Sequence, residues 1–433
     1  MPLIELKYGR GTVPFEYSPD QFELLGQADH RRALSDAEIG DRLDHPIDSP
    51  PIEDMINPGQ SVLIVVPDAT RQTASGQIVN LVVRRLIAAG IAPFDIRIIF
   101  ATGIHRKVTT EEREFIITPF INQRIKTLDH DARDLARLVR LGETSGGIPV
   151  ELNRALIEHD HVILVGGISF HYFAGFAGGR KLVCPGLASS RTVSQSHKLA
   201  FDCDTMSRRA GVDTGLLDGN AVHEAFVEAV SKIAPPFAIS TIVNDQGEAV
   251  DVYCGDWQTS HRAACKQYAS DNSVAIDEPR DLVIASCGGY PYDINMIQAQ
   301  KSLDAASRAC KPGGTIVLLA ECADGTGRAD FLDWFNADSR ETLAAKLCEK
   351  YQVNGQTAWS LLQKAERHRV EIVSSMDEET TKKMRLHKTE VSRLSDCSRG
   401  TGLKGYILPN GAKTAVKTNN QDFTANVRAI ESV

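Results

Sequence analysis

The densest run of chemically able side chains in the 433-residue sequence is GGISFHYFAGFAGGRKLVCPGLASSRTVSQSHK, residues 166–198. It holds His171, Arg180, Lys181 and His197 among glycines at 166, 167, 175, 178 and 179. Imidazole titrates near neutrality, so a histidine can move a proton at working pH or bind a transition metal through its neutral nitrogen. Arginine and lysine attract anions. Glycine lets backbone approach a ligand closely or adopt positive φ. A glycine-rich loop followed by lysine can cradle phosphate through backbone N–H groups. The GxxxxGK[ST] pattern is not met, however, because Leu182 follows Lys181. Two shorter groups add to the set: Asp68-Ala-Thr-Arg71 and Gly103-Ile-His105-Arg106.

Each residue alone also has an ordinary explanation. A lone histidine is usually a satisfied core or surface residue, and His30, His45, His130, His159, His161, His223, His261, His368 and His387 are read that way. For Arg180 and Lys181 the ordinary explanation is a solvated loop, and Cys184 reads as a buried thiol. Position is what separates His105 and His171, which stand directly after apolar runs and beside glycine. His197 gains less from position alone.

The elements that must hold these residues follow from hydrophobic pattern. SVLIVV (61–66) is a continuous apolar run of strand length, the mark of a strand covered on both faces. IVNLVVRRLIAAG (78–90) carries apolar residues at helical spacing, and DIRIIFATG (95–103) and HVILVGG (161–167) are further strands. These three strands run into Asp68–Arg71, Gly103–Arg106 and Ser169–His171 respectively. In open parallel sheets ligands bind at the carboxyl ends of strands, which predicts that the three groups converge. A second α/β pattern starts near 280, with strand 281–289, helix 294–310 and strand 314–322, and KGYILPNGAKTAV reads as a late hairpin.

The expected architecture is therefore α/β with two domains, residues 1–275 and 276–433, each a mostly parallel sheet flanked by helices. The active site is expected in the cleft between them. A chain of this length is too long for one ordinary core. With 42% hydrophobic and 24% charged residues the composition is globular, and a formal charge of -8 argues against general nucleic-acid affinity. No secretory leader and no apolar run of roughly 20 residues is seen, so no membrane partner is expected. Nine scattered cysteines without a CxxC pair read as reduced, mostly buried thiols, and the expected location is cytoplasmic.

At this point a resemblance becomes specific. The chain resembles the nickel-pincer lactate racemase family of 2-hydroxyacid racemases and epimerases. The matching pieces are DATR (68–71), TGIHR (102–106), HYFAGFAGGRK (171–181), His197 and QAQK (298–301). The resemblance implies a nickel-pincer nucleotide, a pyridinium mononucleotide that holds nickel between two sulfur-containing arms. It implies that Lys181 can anchor this group through a thioamide bond and that His197 completes the nickel coordination. His105 and His171 match the paired acid/base histidines. Arg71 and Lys301 match the cations near the substrate carboxylate, with Asp68 and Gln298 as neighbours and Gly178 and Gly179 against the cofactor. The reaction implied is removal of hydride from carbon 2 to give a planar keto acid, then its return on either face. The implied partners are a 2-hydroxyacid and the enzymes that build the cofactor.

The sequence departs from lactate-specific members at one place. They carry an aromatic residue just before the glutamine of the second-domain motif, and here that position is Ile297. A larger 2-hydroxyacid is therefore expected, such as a sugar acid, malate or an aryl or branched acid; lactate racemisation proper is the alternative. A nicotinamide-dependent hydroxyacid dehydrogenase would need the GxGxxG loop that is missing after the first strand. A non-catalytic nucleotide- or anion-binding protein would leave His105 and His171 without a role.

Overall fold

The structure, a computed structural model, describes residues 1–399 and 403–418. The chain forms two compact units, Asp29–Tyr268 and a second made of Met1–Ala28 with Ala269–Val433. Residues 1–28, expected with the N-terminal domain, thus belong to the other unit, and the boundary precedes the expected 275/276. Packing explains the difference. The Leu3–Tyr8 and Gly11–Glu16 strands pair as an antiparallel ladder that sends Leu6, Val13 and Phe15 into a core with Leu282, Val317 and Ile407. Phe22–Leu24 then joins that unit's sheet beside Gly405–Leu408.

The Asp29–Tyr268 unit is built on a six-stranded sheet. Its order is Ala249–Asp256, Phe237–Val243, His161–Gly167, Val62–Pro67, Ile96–Ala101 and Lys126–Asp129. Neighbours are parallel except the first pair, which is antiparallel. Every residue of Val62–Pro67 is buried, as its unbroken apolar run requires of a central strand. The Ser75–Ala88 helix lays Ile78, Val79, Val82 and Leu86 on the sheet core. Three adjacent parallel strands, His161–Gly167, Val62–Pro67 and Ile96–Ala101, end on the same edge, each followed by a candidate group.

The second unit has a six-stranded, all-parallel sheet. Its order is His387–Thr389, Arg369–Val373, Cys310–Leu319, Arg280–Ser286, Gly405–Leu408 and Phe22–Leu24. The late hairpin expected over KGYILPNGAKTAV does not form. Gly405–Leu408 is a wholly buried strand in this sheet, while Ala415–Thr418 pairs in parallel with Ser273–Ile276. Four buried residues in succession suit a strand covered on both faces, which a hairpin arm is not. The helix expected over 294–310 is two pieces, Met296–Ala299 and Ser302–Ala309. Between them Lys301 N–H donates to Gln298 O at 3.1 Å, a tightened three-residue turn that interrupts the α-helical ladder. The strand expected at 314–322 runs instead from Cys310 to Leu319. Among the described residues no helix is long and apolar enough to cross a membrane.

Candidate active site

Asp68 emerges from the central strand into a tight turn. Its Oδ1 accepts from Thr70 N at 3.0 Å and Thr70 Oγ1 at 2.6 Å, while Oδ2 lies 2.6 Å from His105 Nδ1. Burial alone would push this carboxyl up, but His105, Arg71 and Thr70 outweigh it and hold the group well below the usual carboxylate range. An ionised carboxylate only accepts, so His105 Nδ1 carries a proton, and the neutral form of the ring has its lone pair on Nε2. The His105 ring remains 37% exposed, open to an incoming molecule. Its turn is fixed by Gly103, whose φ is +55° and whose N–H donates to Gly186 O at 2.8 Å.

His171 stands on a miniature hairpin, Phe170–His171 with Gly175–Phe176. Gly175 must be glycine: φ is +73°, and a Cβ would fall 1.9 Å from Leu216 O. His171 is buried, and its Nδ1 accepts from Ala174 N at 3.3 Å, which leaves the neutral ring's proton on Nε2. His197 lies in the last turn of the Ser190–Lys198 helix, capped by Ser189. It too is buried, and its Nδ1 makes no hydrogen bond of good geometry. Burial, then Lys181 and His105, push its pKa down to about 3, with the Val193 backbone only partly offsetting them, so the ring is neutral and one nitrogen keeps a lone pair.

Phe173 ties these groups together. Its ring centroid is 4.4 Å from that of His171 and 5.1 Å from that of His197, and Lys181 Nζ lies 5.7 Å from it. Phe226 closes the other side, 5.6 Å from His197 and 5.9 Å from Lys181 Nζ. Neither phenylalanine was singled out from the sequence; Phe173 sits inside HYFAGFAGGRK, but only the fold places it between the two histidines. Cys184 is a buried thiol pushed up to about 12, as its ordinary explanation had it. It is one of seven buried free cysteines; Cys203 and Cys348 are not free, which corrects the expectation of nine reduced thiols.

Gly178 and Gly179 have φ of +77° and +50°. A Cβ on the first would lie 2.8 Å from Gly167 O, and on the second 2.5 Å from the His261 ring. Packing within the protein therefore accounts for both glycines. Arg180, for which a solvated loop was the ordinary explanation, is instead 1% exposed.

In the other unit, Ile297 and Gln298 share the Met296–Ala299 turn, which Asn295 caps through a 3.0 Å bond to Gln298 N. Gln298 is buried, Ile297 and Lys301 half-buried, and Lys301 Nζ donates to Gln298 Oε1 at 2.5 Å. The three residues thus form one cluster in that unit. In the Asp29–Tyr268 unit Asp68 and His105 are joined directly, and His171, Lys181 and His197 surround Phe173. Arg71 follows Asp68 with its side chain half-buried.

The donor set fits a metal held partly by a bound group. Neutral imidazole is a suitable nitrogen ligand for nickel. Among the described residues no three His, Cys, Asp or Glu side chains gather to hold an ion. His197 would thus supply one protein donor, and the remainder would come from the group carrying the metal.

The lactate racemase N-terminal domain family matches residues 8–208 and the lactate racemase C-terminal domain family matches residues 276–399. The chain is 33% identical over 337 residues to the lactate racemase of Lactiplantibacillus plantarum, covering 76% of this chain and 77% of that protein. It is 29% identical over 339 residues to the lactate racemase of Thermoanaerobacterium thermosaccharolyticum, covering 77% and 78% respectively. Among solved structures, the apoprotein of that Thermoanaerobacterium lactate racemase superposes with a TM-score of 0.83 at 25% identity, over 96% of this chain and all of that one. A protein from Thermotoga maritima shares the fold, with a TM-score of 0.71 at 19% identity over 91% of this chain.

Proposed function

Since the chain belongs to the lactate racemase family and is an isomerase, we propose that it inverts carbon 2 of a 2-hydroxyacid larger than lactate, using a nickel-pincer nucleotide. The observation that carries this reading is the gathering of His171, Lys181 and His197 on Phe173, with the lone pair of His197 unclaimed. His197 would hold the nickel and Lys181 would anchor the nucleotide, by a thioamide bond or as a nearby cation. When bound, that cofactor supplies an electron-poor centre able to take and return the hydride of carbon 2.

The chain's own residues handle the proton and the carboxylate. Asp68 keeps the Nε2 lone pair of His105 outward, which makes His105 the base for the substrate hydroxyl. On the opposite course His171, entering as imidazolium, would return a proton to the oxygen from Nε2 and end neutral, so each inversion moves one proton from His171 to His105. Exchange of one proton between the pair restores either starting state, as a two-way inversion needs. Arg71 offers a planar fork to the carboxylate. Gln298 and Lys301 are proposed as further substrate contacts, and Ile297 as the residue that favours a body other than lactate's. Enzymes that build the nickel nucleotide are the implied partners.

The test is racemisation of 2-hydroxyacids deuterated at carbon 2, by protein produced alongside the cofactor-building enzymes. We expect deuterium retained in the inverted product and turnover of sugar acids, malate or branched acids. Deuterium lost to water would overturn hydride transfer, and turnover confined to lactate would overturn the assignment to Ile297. His197→Ala is expected to lose its nickel by elemental analysis; full nickel content would remove it as ligand.

A further inference from the structure

Among the described residues Arg180 is a buried cation with no counter-ion. Of the five N–H donors of a guanidinium, its Nη2 reaches Ala174 O at 2.7 Å, and its Nη1 reaches Gly178 O at 3.5 Å and His261 Nε2 at 3.0 Å. Its Nε has no partner, and among the described residues no carboxylate pairs with it. Burial pulls its pKa down to about 10, so it remains charged near neutrality. A charge removed from water without a partner is costly, and such sites normally have one.

The space beside it is shaped to provide one. Arg180 lines a cavity of about 370 Å³, and His223 lines it as well. His223 is 4% exposed, and its Nδ1 has no hydrogen-bond partner. One cation and one idle imidazole thus border the same void. Leu217, Val227 and Trp257 give the cavity an apolar wall. Its volume falls in the range of about 300–1,000 Å³ usual for small-molecule pockets.

The carboxylates in the wall are already engaged. Asp218 pairs with Arg262 at 2.6 Å, both oxygens of Glu228 accept from Ser145, and Glu224 accepts from Gly219 N at 3.1 Å. They leave Arg180 uncompensated; with Asp218 cancelled by Arg262, which also lines the cavity, Glu224 and Glu228 remain to oppose a doubly charged guest. We propose that this cavity binds a small organic monocarboxylate, with its carboxylate toward Arg180 and His223 and its carbon body against Leu217, Val227 and Trp257. None of these residues has a part in the proposed racemisation, so the site stands or falls separately from that reading.

Calorimetric titration of the full-length protein with isobutyrate, and in parallel with inorganic phosphate, tests the site. Isobutyrate is expected to bind saturably below about 10 mM. Binding is expected to survive Arg71→Ala, which removes the carboxylate fork of the proposed active site. Val227→Trp, which fills the cavity from a half-buried position, is expected to weaken it about tenfold or more; His223→Leu should do the same. Should His223→Leu fail to fold, Val227→Trp decides alone. Absence of saturable binding, binding that persists in Val227→Trp, binding lost in Arg71→Ala, or phosphate bound more tightly than isobutyrate would each overturn the proposal.

Discussion

Asp68 and His105 lie 37 positions apart, and one 2.6 Å contact makes them a unit. The sequence offered both, because each follows an apolar strand, but it offered Asp68 only as a neighbour. The contact gives it a task, since an acceptor on Nδ1 decides which nitrogen of His105 faces outward. Asp68→Asn replaces that acceptor by an amide able to donate to Nδ1, which moves the ring proton to Nε2 and removes the outward lone pair. The expected result is a fall in kcat of about 10²–10⁴, the usual worth of a positioned base, with nickel content unchanged. Racemisation rates of the variant at matched cofactor loading measure it, and a loss under about threefold would deny His105 the role of base. Phe173 shows the converse limit of a sequence. Its aromatic type is plain in HYFAGFAGGRK, but contacts with His171, His197 and Lys181 come from three separate elements, and no local pattern encodes their meeting.

At the scale of elements, legibility followed burial. Strands 61–66, 95–103 and 161–167 could be read almost to the residue because unbroken apolar runs leave a central strand as the natural outcome. The piece at 404–416 failed for lack of such a run: the apolar residues Tyr406–Leu408 between turn formers are too few for the sequence to show that both faces are covered, as the buried Gly405–Leu408 strand is. The helix at 294–310 failed at Lys301, where one shortened turn leaves the hydrophobic period undisturbed. The helix Ala221–Val230 contributes to the site through its cap. Asn220 is fully buried; its Oδ1 accepts from Val222 N and His223 N, while Nδ2 donates to Phe173 O at 3.0 Å and Leu216 O at 3.1 Å. One side chain thus starts the helix that carries Phe226 and holds the loop that carries His171. Asn220→Asp keeps the cap but cannot donate to the two carbonyls, whereas Asn220→Ala loses both functions. Urea unfolding should show Asn220→Asp less stable by about 1–3 kcal/mol, the cost of buried acceptors left unpaired, and Asn220→Ala lower by about a further 1 kcal/mol. Equal stability of Asn220→Asp and the parent would sever the proposed link between helix and loop.

The whole molecule carries a formal charge of -8, so the proposed carboxylate substrate would need local cations such as Arg71 to draw it in, and solution pH acts on the fold through a different set of groups. Three histidines of the Asp29–Tyr268 unit are buried and outside the proposed chemistry. Burial pushes His130 down to about 4, its bond to Ala188 O only partly offsetting that; burial followed by Arg180 and Arg262 takes His223 to about 3, and burial with Arg180 takes His261 well below its ordinary 6.5. All three are therefore neutral in the folded unit at pH values where an unfolded chain has already protonated them. Below about pH 6.5 the unfolded state binds more protons than the folded one, and each such proton costs the fold about 1.4 kcal/mol per pH unit. Asp68 acts in the opposite sense but elsewhere on the scale: its pKa is depressed, so its contribution is fully present above its unfolded value near 3.8 and is lost only at lower pH. Between pH 6.5 and about 4 the histidines thus set the trend. Differential scanning calorimetry of the cofactor-free protein should show Tm steady from pH 8 to 7 and falling progressively from about pH 6.5 to 5. A Tm that stays level to pH 5 would mean that these rings take up protons in the folded state, through openings that the closed packing around them does not provide.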